Sequence, residues 1–136
     1  MGHDVTIFDK AEEIGGQFNL AKRIPGKQEF YETLRFFQEH LDLLNVKVHM
    51  GVTLSKANIE NLLGQNQFDR IILATGVNPR IPDIEGVDHH SVISYYDLLT
   101  GNFTQDIGNN VAVLGAGGIG FDVSEYLLHR TDQNQE

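Results

Sequence analysis

The sequence predicts an α/β fold, a parallel sheet with flanking helices, and three stretches carry that expectation. Val111-Ala112-Val113-Leu114 is an apolar, β-prone run that enters glycines spaced Gly115-x-Gly117-x-x-Gly120, and Phe121 to His129 then reads as a helix. Asp4-Val5-Thr6-Ile7-Phe8-Asp9 is a second β-branched apolar run, ending in an acid. Phe68-Asp69-Arg70-Ile71-Ile72-Leu73-Ala74-Thr75-Gly76 is a third, closing on a small-Thr-Gly turn. Short β-branched, mainly apolar runs of this kind are what parallel strands covered on both faces look like.

The glycine spacing carries specific chemistry. Gly115 permits the tight turn after a strand, Gly117 lets backbone lie against a pyrophosphate, and Gly120 lets the helix pack close to the strand. The helix start adds unpaired N–H groups and a positive dipole end, so an anion there is stabilised. This is the opening of a dinucleotide-binding βαβ unit of Rossmann type. Its ribose-binding acid is expected about 20 residues further on, beyond Glu136, so either the sequence ends mid-domain or another segment completes the site.

A length of 136 residues suits one domain, or one domain with a piece of another. An apolar share of 40% and a charged share of 21% are globular values. A net charge of −9, with no basic stripe, excludes a phosphate-tracking nucleic-acid surface. The absence of Cys removes disulfides, thiolate catalysis and iron–sulfur ligation from these residues. No span of about 18 apolar residues occurs, which predicts no membrane crossing and a soluble, cytoplasmic protein.

Taken in order, Asp4 to Asp9 predicts a strand. Asp9 at its tip is either a ribose-binding acid, as in a Rossmann unit, or a turn residue that ends the strand. Lys10 to Lys27, with Gly15-Gly16-Gln17 and Pro25-Gly26, predicts a loop with local turns. From Gln28 to Leu44, Phe30, Leu34, Phe37, Leu41 and Leu44 recur at helical spacing and predict a helix packed on the sheet. Val46-Lys47-Val48-His49-Met50 alternates and predicts a short strand, followed by a weak helix around Asn58 to Leu63. Val92-Ile93-Ser94 predicts a short strand and Tyr95 to Leu99 a short helix capped by Ser94. Gly101 to Asn110 reads as a polar linker and Thr131 to Glu136 as a polar tail. The six histidines lack carboxylate partners at ligand spacing, so no metal site is predicted, and no acid, base or nucleophile stands out as catalytic.

Several blocks occur together and in order: Gly2-His3-x-Val5-Thr6-x-Phe8-Asp9, Ile14-Gly15-Gly16-Gln17-Phe18-Asn19, Ile24-Pro25-Gly26-Lys27, Ala74-Thr75-Gly76 and Gly117-Gly118-Ile119-Gly120-Phe121-Asp122. With them the chain resembles part of the bacterial NADPH-dependent 2,4-dienoyl-CoA reductases and their trimethylamine dehydrogenase and enoate reductase relatives. The resemblance implies an internal piece of a larger enzyme, which also carries an FMN-bearing TIM barrel and a cysteine-rich iron–sulfur segment. In such an enzyme electrons run from NADPH through FAD, the iron–sulfur cluster and FMN to the dienoyl thioester. It implies a partial FAD-binding domain at 1–76, a connection at 77–110 and the start of an NAD(P)-binding domain at 111–136. Position by position, it implies that Asp9 with the adjoining Lys10 holds the adenosine ribose of FAD and that Gly16 and Gln17 lie along the flavin nucleotide. Val52 meets adenine, and Ala74, Thr75 and Gly76 close around FAD. Gly115, Gly117, Gly118, Ile119 and Gly120 form the NADP pyrophosphate turn. The choice between NADPH and NADH stays open.

The strand order of an FAD domain places a further βα unit between the Asp9 strand and the strand ending at Ala74. Two arrangements are therefore open. Val111 to His129 could fill that slot, within one chain or by a swap between two, giving a circularly permuted Rossmann fold. Otherwise the chain keeps two separate lobes. The partners expected are dinucleotide cofactors and the remainder of the parent enzyme. A free-standing, non-catalytic nucleotide-binding or interaction module is the alternative.

Overall fold

The computed structural model describes residues 2–65 and 67–132. It is α/β, with a parallel two-stranded sheet and five helices among the described residues: β1 (Thr6–Phe8), α1 (Phe18–Ala21), α2 (Glu29–Leu43), β2 (Lys47–His49), α3 (Lys56–Gly64), α4 (Tyr95–Thr100) and α5 (Gly118–Asp132). The chain divides into two compact units. Unit 1 is the chain up to Gly16 with Glu32–Val77, and unit 2 is Gln17–Tyr31 with the chain from Asn78 onward.

Unit 1 is built on the crossover from β1 through α2 to β2, the connection parallel strands require. Thr6 pairs with Lys47, Ile7 with Val48 and Phe8 with His49. The ladder continues past both ends, with Lys47 N–H donating to the Val5 carbonyl (3.1 Å) and Asp9 N–H to that of His49 (3.0 Å). Helix α2 stops where Asn45 turns left-handed at φ 53°, a conformation Asn tolerates better than most residues. Leu44 N–H and Val46 N–H then return to the His40 and Leu41 carbonyls (both 2.9 Å), and the chain enters β2. The Phe8 ring stacks on His49 at 5.0 Å and meets the edge of Phe68 at 6.3 Å.

The surface of α2 carries a charged triad. Arg35 reaches Glu32 at 2.6 Å and Glu39 at 2.8 Å, and the hydrogen bonds it donates, first to Glu32 and then to Glu39, push its guanidinium pKa above the ordinary value. The apolar face of this helix is only partly covered. Phe30, Leu34 and Leu41 are half-buried, whereas Phe36, Phe37, Leu43 and Leu44 are exposed, so the expected close packing on the sheet is not reached.

Three predicted strands do not form. Phe68–Gly76, Val92–Ser94 and Val111–Leu114 have no ladder partner among the described residues, and the sheet contains β1 and β2 alone. Permuted closure is corrected with them: Val111–Leu114 belongs to unit 2 and adds no strand beside β1. A parallel strand is stabilised by its neighbours rather than by propensity, and Ile72 (87% exposed) and Leu114 (83%) have none to cover them.

Unit 2 is helical and holds the buried apolar side chains. Ile24, Leu98, Leu99 and Val123 are the core, brought from α4, α5 and the turn after α1. Polar tethers accompany that packing. Arg23 Nη1 donates to the Leu99 carbonyl at 2.6 Å, and Lys27 Nζ reaches both carboxylate oxygens of Asp122 at 2.7 Å. Ser94 caps α4 by accepting from Asp97 N–H (3.0 Å), and Gly101 ends it at φ 77°.

Candidate functional site

In unit 2 the Val111–Leu114 run turns at Gly115, whose φ of 116° an L side chain rarely adopts. Gly117 then opens α5, its carbonyl accepting Phe121 N–H at 3.1 Å. The last glycine is sterically compelled. A Cβ at Gly120 would overlap the Gly115 carbonyl oxygen and lie 2.9 Å from its carbon, so only a residue without a side chain lets the helix sit this close to the turn. At Gly117 and Gly118, by contrast, a Cβ would meet open space. These positions line a free cradle at the start of a 15-residue helix with no acid in its first turn. Asp122, in the next turn, is neutralised by Lys27. The turn therefore fits the pyrophosphate of a dinucleotide: unpaired N–H groups, a positive dipole end and room for close approach.

In unit 1 a second set of loops gathers at the end of β1. The Asp9 carbonyl accepts Val52 N–H at 2.8 Å, and Ala11 accepts Gly51 N–H at 2.8 Å. Asp9 Oδ1 accepts Ala11 N–H at 2.9 Å, an Asx turn. Of the two roles open for Asp9, the turn is thus formed. Its exposed carboxylate still leaves Oδ2 without a protein partner among the described residues. Lys10 beside it is exposed. Gly16 sits at φ 51° with nothing in the space of a Cβ, and Gly76 likewise at φ 71°. Ala74 and Thr75 lie outside any helix or strand and are exposed. Asp9 and Val52 are thus joined directly, and Lys10, Gly16, Ala74, Thr75 and Gly76 share their unit. Gln17 belongs to unit 2, where its carbonyl accepts Leu20 and Ala21 N–H groups (both 3.0 Å), as do Gly115, Gly117, Gly118, Ile119 and Gly120.

Sequence reasoning missed the Lys27–Asp122 pair. Both residues lie inside quoted blocks, and their opposite charge was the only signal. A separation of 95 positions hid the contact. No helix among the described residues is long and apolar enough to cross a membrane.

A glycine turn feeding a helix, with an acid-ended strand in a parallel pair, defines a dinucleotide-binding α/β protein. The family model for pyridine nucleotide-disulphide oxidoreductases matches residues 1–134, and the chain belongs to that family of FAD- and NAD(P)-binding oxidoreductase domains. It is 29% identical over 126 residues to a metal reductase of Desulforamulus reducens, covering 93% of this chain and 19% of that protein. It is 31% identical over 131 residues to an NADH oxidase of Thermoanaerobacter brockii, covering 95% of this chain and 20% of that protein. Among solved structures it resembles a 2-naphthoyl-CoA reductase in complex with 2-naphthoyl-CoA, with a TM-score of 0.83 and 30% identity over 96% of this chain and 19% of that one. The chain therefore spans about a fifth of the length of these relatives. The family takes its name from disulphides, yet these 136 residues contain no Cys, so thiol chemistry is not theirs.

Proposed function

We propose that this chain is the dinucleotide-handling part of a flavoprotein reductase that reduces an unsaturated acyl-CoA thioester of the 2,4-dienoyl class. The observation that carries the reading is the turn at Gly115–Gly120, where the backbone of the last glycine packs against the first and leaves a cradle at the start of α5. The likeness to a naphthoyl-CoA reductase supports the acyl-CoA class, and the metal reductase and NADH oxidase support the redox class.

On this reading Gly115, Gly117, Gly118, Ile119 and Gly120 hold the NADP pyrophosphate, with Lys27 keeping the Asp122 carboxylate neutralised beside it. Asp9 and Lys10 hold the FAD ribose, Val52 meets adenine through its backbone, and Gly16, Gln17, Ala74, Thr75 and Gly76 lie along the flavin nucleotide. When bound, the nicotinamide supplies a hydride and the flavin accepts it. These residues bind and orient, and none of them transfers a proton. FMN, the iron–sulfur cluster and the thioester site belong to the remainder of the parent enzyme, which also covers the exposed apolar runs at Ile72-Leu73 and Leu114.

Calorimetric titration of the purified chain with FAD, and separately with NADPH, tests the proposal. Micromolar binding of either is expected, without reduction of a dienoyl-CoA by the chain alone. No binding of either would overturn the assignment of these residues. Turnover by the isolated chain would overturn the division of labour with the parent.

A further inference from the structure

Unit 1 holds a second acidic side chain near the end of β1, one that the binding of adenosine has so far left without a role. The Asp9–Glu12 stretch runs beside Gly51 and Val52, tied by Val52 N–H to the Asp9 carbonyl and by Gly51 N–H to that of Ala11, both at 2.8 Å. That pairing lays the Glu12 side chain on Gly51. A Cβ at Gly51 would stand 3.3 Å from Glu12 Oε1 and 3.4 Å from Oε2, and the three atoms nearest to it all belong to the Glu12 carboxyl group. The carboxylate therefore rests on the residue adjoining Val52, which is assigned to adenine, and in the same loop as Asp9, which is assigned to the ribose.

Nothing in the protein accounts for the charge on Glu12. The side chain is exposed and makes no hydrogen bond or ion pair among the described residues, and packing on a glycine does not call for an acid. Asp9 spends Oδ1 on the Ala11 N–H and keeps Oδ2. The other cations of unit 1 are engaged elsewhere. Arg35 is held by Glu32 and Glu39, Lys47 by Asp4 and Lys56 by Glu60, and Arg70 donates to the carbonyl of its neighbour Asp69. Lys10, beside Asp9, thus brings one positive charge against two negative ones.

We propose that Glu12 is a specificity residue of unit 1, which with Asp9 admits an adenosine whose ribose 2′-hydroxyl is unmodified and turns away one that carries a 2′-phosphate. The inference rests on the reading of unit 1 as an adenosine site. A 2′-hydroxyl donates to a carboxylate at a strand tip. A 2′-phosphate instead brings a charge of about −1.5 to −2, and like charges a few ångström apart repel. Glu12 supplies the exclusion that Asp9 alone leaves incomplete, because Lys10 offsets one carboxylate and not two. The turn in unit 2 is built differently. Its helix has no acid in the first turn, and Asp122 is neutralised by Lys27. The two units therefore sort their dinucleotides: unit 1 takes FAD, whose adenosine has no 2′-phosphate, and leaves NADP to unit 2.

The test is a ¹H–¹⁵N titration of the chain with AMP and with adenosine 2′,5′-bisphosphate, which differ only in the 2′-phosphate, read at Asp9–Glu12, Gly51 and Val52. Saturable shifts are expected there with AMP, and binding about tenfold weaker with the bisphosphate, the scale of a net unit charge close by in a solvated site. Glu12→Gln, of equal size and uncharged, should shrink the difference to about threefold or less, and Glu12→Lys should reverse it. In the unsubstituted chain the difference should also fall between about 0.01 and 1 M salt, as the screening length drops from about 30 Å to about 3 Å. The two possible failures are distinct. Absence of AMP shifts at these residues would overturn the adenosine reading and the inference with it. AMP shifts with equal or tighter binding of the bisphosphate, a Glu12→Gln variant that discriminates as the unsubstituted chain does, or a difference that salt does not change would overturn the inference alone.

Discussion

Different forces stabilise each unit internally. Unit 1 has both strands and every ladder hydrogen bond of the sheet, yet none of its described apolar residues is fully buried. Among the described residues, unit 2 has no paired strand and contains the buried apolar side chains Ile24, Leu98, Leu99 and Val123. Backbone pairing sets register, but a two-stranded sheet is marginal by itself in water, and the hydrophobic contribution comes from burial. The sheet unit therefore depends on cover for its apolar runs, while the helical unit carries its own core.

The largest effect that could break this contrast is a pair of truncations. Ile24→Ala in unit 2 should lower the unfolding free energy by about 2–5 kcal/mol, the usual cost of emptying a packed site. Leu73→Ala in unit 1 removes a side chain that is 74% exposed and should change it by no more than about 0.5 kcal/mol. Urea denaturation of both variants measures the difference. Similar losses would show that Leu73 is packed in solution and that the contrast is wrong.

Within unit 2 the glycine turn sharpens the comparison between structure and ligand. Gly120→Ala drives a methyl into the Gly115 carbonyl and should cost about 1–3 kcal/mol, as overpacking does, together with NADPH affinity. Gly118→Ala puts its methyl into open space inside a helix. It should leave the melting temperature unchanged or higher, since Ala is the better helix former, while still weakening NADPH. Thermal melts beside calorimetry separate the two. Parallel behaviour of both variants would remove the distinction between a packing glycine and a cradle glycine.

The longer helices were the most legible part of the fold, whereas the four-residue α1 forms inside the Lys10–Lys27 stretch expected to be a loop. Spacing of Phe30, Leu34, Phe37 and Leu41 located α2, and Ser94 before Tyr95 located the start of α4, because both signals act within one or two turns of chain. The glycine spacing likewise located the turn and the start of α5. Strands were legible only where a partner lies within the described chain: Thr6–Phe8 finds Lys47–His49, whereas Ile71-Ile72-Leu73 and Val111–Leu114 have equal β character and no neighbour. The dependence of parallel strands on what flanks them is not written in the strand itself. The union of Gln17–Tyr31 with α4 and α5 was equally hidden. It rests on Arg23 with Leu99 and Lys27 with Asp122, pairs 76 and 95 positions apart, and no local period reports such contacts.

The smallest effect concerns the two serine caps. Ser55 makes the fuller cap by local geometry: its Oγ accepts Asn58 N–H at 3.3 Å while its own N–H donates to Asn58 Oδ1 at 2.9 Å. Ser94 accepts Asp97 N–H at 3.0 Å and donates through Oγ to the Asp97 carboxylate at 2.6 Å. If local bonds alone decided, Ser55→Ala would be the costlier change. Burial predicts the reverse order, because α4 carries Leu98 and Leu99 into the core whereas α3 has no buried residue. Fraying α4 exposes core, and fraying α3 exposes little. Ser94→Ala should therefore cost about 1 kcal/mol of global stability, the common value for a lost cap. Ser55→Ala should raise amide exchange within Lys56–Gly64 and barely move the urea midpoint, since a helix outside the core opens locally. The opposite order would mean that α3 is covered in solution and that unit 1 has a core of its own.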